Sequence, residues 1–210
     1  MRGIPTLPAV NWLPTGIRSF PAAGSAVTGA LGSFLPSAFP YLARRSYALE
    51  FTATFFFAIA LAMVEGGVVS VFAKNTFSGV VETRQLNLTV AFLGAVAELA
   101  NLLSFIWSGL SHGRPKVKFI NALQVATILA IGSIAFLPQT PVGLYLLAAA
   151  VFIARVCWSG IITIRPTVWR ANYPRSFRAR VVGKLSSVQM LVVALVGAAL
   201  GMALDLDDRY

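Results

Sequence analysis

The chain has 210 residues, 57% of them hydrophobic and only 11% charged, with a mean hydropathy of +0.77. A soluble domain of this length has no interior large enough to hide that much apolar surface, so the composition excludes a water-solvated fold and leaves lipid as the main solvent. The formal charge of +10 would suit a nucleic-acid binder, but the basic residues lie between apolar stretches rather than on one soluble face, which excludes that class as well.

Residues 1–46 are rich in Pro, Ala, Gly and Ser, contain no acid and carry Arg2, Arg18, Arg44 and Arg45. Composition of this kind cannot build a core. It fits a flexible cytoplasmic tail, an organelle leader peptide or a start codon set too far upstream. From there on the pattern is regular. A bilayer core of about 30 Å needs roughly 20 apolar residues per helical crossing, and five segments qualify: Phe51 to Ala73, Leu86 to Leu110, Phe119 to Leu137, Val142 to Ile164 and Leu185 to Leu204. The expected fold is all-α, a polytopic membrane helix bundle of five transmembrane helices over residues 47–204, with a short acidic end at 205–210.

The connections set the orientation. Thirteen of the seventeen Lys and Arg fall in the tail, in Ser111 to Lys118 and in Arg165 to Lys184, whereas the alternate connections hold only Lys74, Arg84 and Arg209. Because basic residues resist translocation, the N-terminus is expected in the cytoplasm and the C-terminus outside, in a plasma (inner) membrane protein. The four-residue connection Pro138 to Pro141 forces the third and fourth spans into a hairpin. The single cysteine, Cys157, lies in the fourth span; it forms no intramolecular disulfide and reads as packing.

Ionisable groups inside a span cost about 2.5 to 3.5 kcal/mol each, so they usually face the bundle interior and mark function. Glu65, Glu98 and Arg155 are the candidates. Counted from the outer ends of their spans, Glu98 and Arg155 lie about 18 Å and about 20 Å deep. Depths this similar predict a Glu98–Arg155 ion pair if the two helices adjoin, either static or remade during transport. Asn101 follows three residues after Glu98, on the same face. Glu65 opens Glu65-Gly66-Gly67, where two glycines loosen the helix and suit a carboxylate to a cation site or an aqueous vestibule. In the fifth span Gly197 and Gly201 frame a small-residue face that allows close helix approach. The spans contain no histidine cluster, no nucleophile with a base and no paired aspartates, and the one histidine is His112. Neither an enzyme nor a metal or cofactor is expected.

Two inner connections resemble those of the major facilitator superfamily of secondary transporters. The stretch Ser108-Gly109-Leu110-Ser111-His112-Gly113-Arg114-Pro115-Lys116 is similar to that family's signature between its second and third helices, with Leu110, Ser111 and Lys116 in register and His112 where the family has an acid. Tyr173-Pro174-Arg175-Ser176-Phe177-Arg178-Ala179-Arg180-Val181-Val182-Gly183 resembles its pattern after the fourth helix. Arg155 with Gly160 is similar to an arginine and glycine in the fourth helix of proton-coupled members, at a spacing one residue longer. The resemblance implies transport of a small solute, proton coupling being one option. Glu65, Glu98, Asn101 and Arg155 would line the path, and Leu110, Ser111, His112, Arg114, Lys116, Arg178 and Arg180 would form a cytoplasmic gate. It also implies a missing sixth helix and second half, so the expected chain is most of an N-terminal half that meets a second half or a copy of itself. The competing expectation is a non-transporting membrane protein, either a fragment or a module that pairs through its glycine faces.

Overall fold

The computed structural model describes residues 32–206, and among these it holds seven α-helices, a short 3-10 turn at Pro36–Ala38 and no β-strand. The helices are α1 (Tyr41–Met63), α2 (Gly66–Phe77), α3 (Thr83–Leu102), α4 (Ser104–Leu110), α5 (Lys116–Ile134), α6 (Pro141–Asn172) and α7 (Arg175–Leu206). Five stretches are long and apolar enough to cross a membrane: Ala43–Met63, Thr83–Leu110, Lys116–Ile134, Pro141–Asn172 and Arg175–Leu204. Arg2 and Arg18 lie outside the described residues, as do 207–210.

Two expected spans are interrupted. The first breaks at Val64 and Glu65, where Glu65 takes an extended conformation (φ −66°, ψ 133°) as the N-cap of α2. At 12 residues, or about 18 Å, α2 is too short to cross by itself, and the first crossing shifts towards the N-terminus to become Ala43–Met63. The second stretch changes helix at Leu103.

A larger correction concerns Arg165 to Lys184, expected as a long basic connection. Nearly all of it is helical: α6 continues to Asn172, α7 starts at Arg175, and only Tyr173 and Pro174 make the turn. Lys and Arg end a membrane span because of their charge, yet they are good helix formers. With 32 residues, α6 is about 48 Å long, so part of it projects beyond an apolar core of about 30 Å.

α6 is the hub. It packs closely on α5 and α3 and touches α4, while α1 pairs with α7 and α2 with α3. Its start is fixed by the Thr140 N-cap, whose hydroxyl accepts from the Gly143 amide, with Pro141 following in the first turn. The main core gathers Phe57 and Leu61 of α1, Val64 just past its end, Val69, Ala73 and Phe77 of α2, Leu93 and Val96 of α3, Leu123 of α5 and Leu144, Leu147, Val151, Trp158 and Ile161 of α6. A second cluster, Phe39, Ala43, Tyr47, Tyr173, Val181 and Leu185, ties the segment before α1 to the α6–α7 turn.

Two glycines of α6 explain how closely this hub is packed. A Cβ on Gly143 would fall 1.9 Å from the Pro138 carbonyl oxygen, and one on Gly160 would fall 2.8 Å from both Leu123 and the Trp107 ring. Only hydrogen fits there.

Candidate functional site

α1 and α6 do not pack backbone to backbone as α5 and α6 do; long side chains bridge the gap between them at two levels, one on the side expected to face outward and one on the side expected to face inward. The outer bridge starts from Arg155, which is 6% exposed. Its Nη2 lies 2.8 Å from Glu65 Oε2 and 2.9 Å from the Val64 carbonyl oxygen, and Nε donates to the same carbonyl at 3.2 Å. The helix break produces this site. Ending α1 at Met63 leaves its last carbonyls without helical donors and gives them partial negative charge, and a guanidinium satisfies one of them together with the adjacent carboxylate. Glu65 is half exposed.

The expected Glu98–Arg155 pair does not form. α3 does pack on α6, but its buried face is Leu86, Thr89, Leu93, Val96 and Ala100. Glu98, on the far side of the helix, and Asn101, on its flank, fall off that stripe and are exposed. Arg155 has Val64 and Glu65 across from it instead.

The inner bridge was not legible as a site. Trp169 donates its indole N–H to Glu50 Oε2, and Arg165 Nη2 donates to Thr54 Oγ1. The Arg165 guanidinium also lies over the Trp169 ring, 5.0 Å from its centroid. Arg165 belongs to the expected basic connection and Glu50 lies just ahead of the first expected span; because α1 starts at Tyr41 and α6 runs to Asn172, both are helical residues at the same end of the bundle. Along α6, ten residues separate the two bridges, about 15 Å.

At the level of the inner bridge, walled by α1, α5 and α6, opens a cleft of about 400 Å³. Its apolar walls include Phe57 and Trp158, stacked with centroids 4.8 Å apart. Glu50, Thr54, Asn121, Gln124, Arg165 and Asn172 supply polar groups. Asn121 and Gln124 stand three apart on α5 and so share one face. Tyr173 stands at the turn just past α6; burial first and the neighbouring Glu50 charge second push its phenol above the ordinary range, which keeps it neutral.

The residues expected at a cytoplasmic gate divide into two turns. Ser111 is buried and donates its hydroxyl to the Ser108 carbonyl at 3.2 Å, while Lys116 reaches back to the Ser111 carbonyl. Leu110 and His112 are exposed, and Arg114 sits 5.8 Å from the Phe119 ring centroid. Gly113 takes φ +70°, the left-handed conformation that lets so short a turn close. At the other turn Arg178 donates to the Arg170 and Tyr173 carbonyls at 3.3 and 3.2 Å, capping the end of α6, and Arg180 is exposed. Each set holds its own turn. Among the described residues no group of three His, Cys, Asp or Glu forms a metal-ligand set.

The fold defines a class: a polytopic α-helical membrane protein, with five helices able to span the bilayer. Comparison with known protein families, with curated proteins and with solved structures finds no match to this chain.

Proposed function

We propose that the chain forms one wall of a transmembrane pathway for a small polar solute, in the manner of a secondary transporter of the major facilitator type. The observation that carries the reading is the cleft around the inner bridge, lined by charges and amides, with the buried Arg155–Glu65 pair about 15 Å further along α6. Burying charge in a membrane bundle is costly, and such groups concentrate where a solute or ion passes. An interrupted helix beside one of the bridges has the same tendency, because backbone that leaves its hydrogen-bond pattern at membrane depth must line a cavity or be covered by protein. The signature-like turns at Leu110 to Lys116 and Tyr173 to Gly183 add the sequence support, with Lys116 and Arg178 as the inner anchors.

Cysteine accessibility tests the pathway. In a Cys157→Ser background, single cysteines at Asn121 and Gln124 are expected to react with a membrane-impermeant maleimide from the inner face, and one at lipid-exposed Leu129 is expected not to. Protection of Asn121 and Gln124 equal to that of Leu129 would remove the pathway.

A second reading draws on α7, whose Met190, Leu191, Leu195 and Met202 are each at least 60% exposed. As a non-transporting module the chain would seat another membrane helix there. Crosslinking in native membranes separates the two readings, since the module requires a stable partner on α7 and the pathway does not.

A further inference from the structure

The inner cleft holds two opposite charges, Glu50 and Arg165, that attract one another but make no direct ion pair. The one ion pair among the described residues is Arg155 with Glu65. Glu50 instead accepts from the Trp169 indole and Arg165 donates to the Thr54 hydroxyl. A guanidinium carries five N–H donors in a fixed fork, and among the described residues Arg165 spends one hydrogen bond, on Thr54. Asn121 and Gln124 line the same cleft from α5. Trp169 holds the two charges in place: its N–H orients the Glu50 carboxylate and its face supports the guanidinium.

We propose that this cleft binds a small zwitterion carrying an apolar body, with its ammonium at Glu50, its anionic oxygens at Arg165 and its apolar part against Phe57 and Trp158. The proposal rests on the pathway reading and names the solute class for it. Net charge argues for the zwitterion. A monoanion placed at Arg165 would also face Glu50, and a monocation at Glu50 would also face Arg165, so either meets repulsion as well as attraction. A dipolar ligand satisfies both charges and leaves the site neutral. Size agrees: about 400 Å³ lies in the lower part of the range of small-molecule sites, roughly 300 to 1,000 Å³. Ammonium beside anionic oxygens is also the chemistry of an ethanolamine phospholipid headgroup, which reaches the same end of the bundle from the bilayer.

The test uses the full chain in phosphatidylglycerol nanodiscs, titrated with phenylalanine, with 3-phenylpropionate, which lacks the ammonium, and with phenethylamine, which lacks the carboxylate. Phenylalanine is expected to bind at least about tenfold more tightly than either analogue, the scale of losing one hydrogen bond to a charged group. In E50Q its affinity should fall to that of phenylpropionate, and in R165Q to that of phenethylamine. These comparisons are made within one variant, so a general loss of folding does not imitate them. Glycerophosphoethanolamine, and discs made with phosphatidylethanolamine, distinguish the two sources. Binding of the glycerophosphoester in place of phenylalanine assigns the site to the headgroup, whereas phenylalanine binding undiminished in phosphatidylethanolamine discs assigns it to the free solute. Either analogue binding as tightly as phenylalanine, or no binding by any of these probes, overturns the proposal. Continued maleimide labelling at Asn121 in that event would leave the pathway standing without its zwitterion.

Discussion

α6 and α7 are both 32 residues long, both apolar and both punctuated by glycine, yet they occupy opposite positions in the molecule. The most apolar window of α6 is 61% buried and that of α7 only 6%. The glycines follow the same division. Gly143 and Gly160 of α6 have no space for a methyl group, whereas around Gly183, Gly197 and Gly201 of α7 a Cβ would meet nothing within 4 Å among the described residues. The sequence pattern favours the wrong helix, because Gly197 and Gly201 stand four apart in a small-residue face and Gly160 stands alone. A glycine shows where close approach is permitted; the neighbour that uses it, here Trp107 and Leu123 against Gly160, comes from elsewhere in the chain.

The largest effect is expected where α6 meets charge. Arg155→Ala removes the donor to Val64 and the partner of Glu65, and is expected to cost about 3 kcal/mol in detergent unfolding. That is the low end for losing one member of a buried pair, since Glu65 is half exposed and regains water. Arg155→Lys keeps the charge without the fork and should fall between the two. Equal stability of all three proteins would show that the outer bridge does not hold the α1–α2 break.

Gly143→Ala comes next, at about 2 to 3 kcal/mol, because the obstacle is a backbone carbonyl that cannot rotate away. Gly160→Ala should cost less, about 1 kcal/mol. Its obstacles are a leucine methyl and an indole ring that can shift, and alanine recovers some helix propensity. Reversal of that order, read from thermal unfolding of the two variants, would mean that the Pro138 to Pro141 turn is softer than its geometry.

Tyr173, at the turn where α6 hands over to α7, gives a smaller and pH-dependent effect. Its phenol is held neutral by burial and by Glu50, so the folded state resists ionisation that the unfolded chain undergoes at about pH 10. Below that pH the group has no pH-dependent effect. Above it the unfolded state loses the proton first, and stability falls as pH rises towards the raised folded value. Tyr173→Phe is therefore expected to flatten the alkaline limb of the stability profile and leave neutral pH nearly unchanged. An unaltered limb would place the pH dependence elsewhere.

What could be foreseen follows from the same contrast. Hydropathy, which depends on composition averaged over a span, found five apolar stretches long enough to cross, with the first displaced from Phe51–Ala73 to Ala43–Met63. It could not mark where a helix begins or breaks. Thus Glu50 stands just ahead of the first expected span, and Arg165 falls in an expected connection, where Pro166 directly after it strengthens the expectation of a stop; tertiary packing nevertheless carries α6 through Pro166. Glu65 and Arg155 were recognised singly because a charge in a span is costly wherever it points. Their pairing was not, because equal depth pointed to Glu98, and only the helix break brings the Val64 carbonyl and Glu65 to Arg155.

The smallest expected effect is the most informative about α7. Gly197→Ala and Gly201→Ala meet open space among the described residues, and each exchanges a poor helix former for the best, so stability should stay level or rise by up to about 1 kcal/mol. A loss above about 1 kcal/mol in native membranes that disappears in dilute detergent has one physical source. A neighbouring segment would have to sit against those glycines at a distance only hydrogen permits, supplied from outside the described residues. The face of α7 that the described residues leave uncovered would then be half of an interface, and the difference in burial between α6 and α7 would belong to the described residues alone rather than to the protein in its membrane.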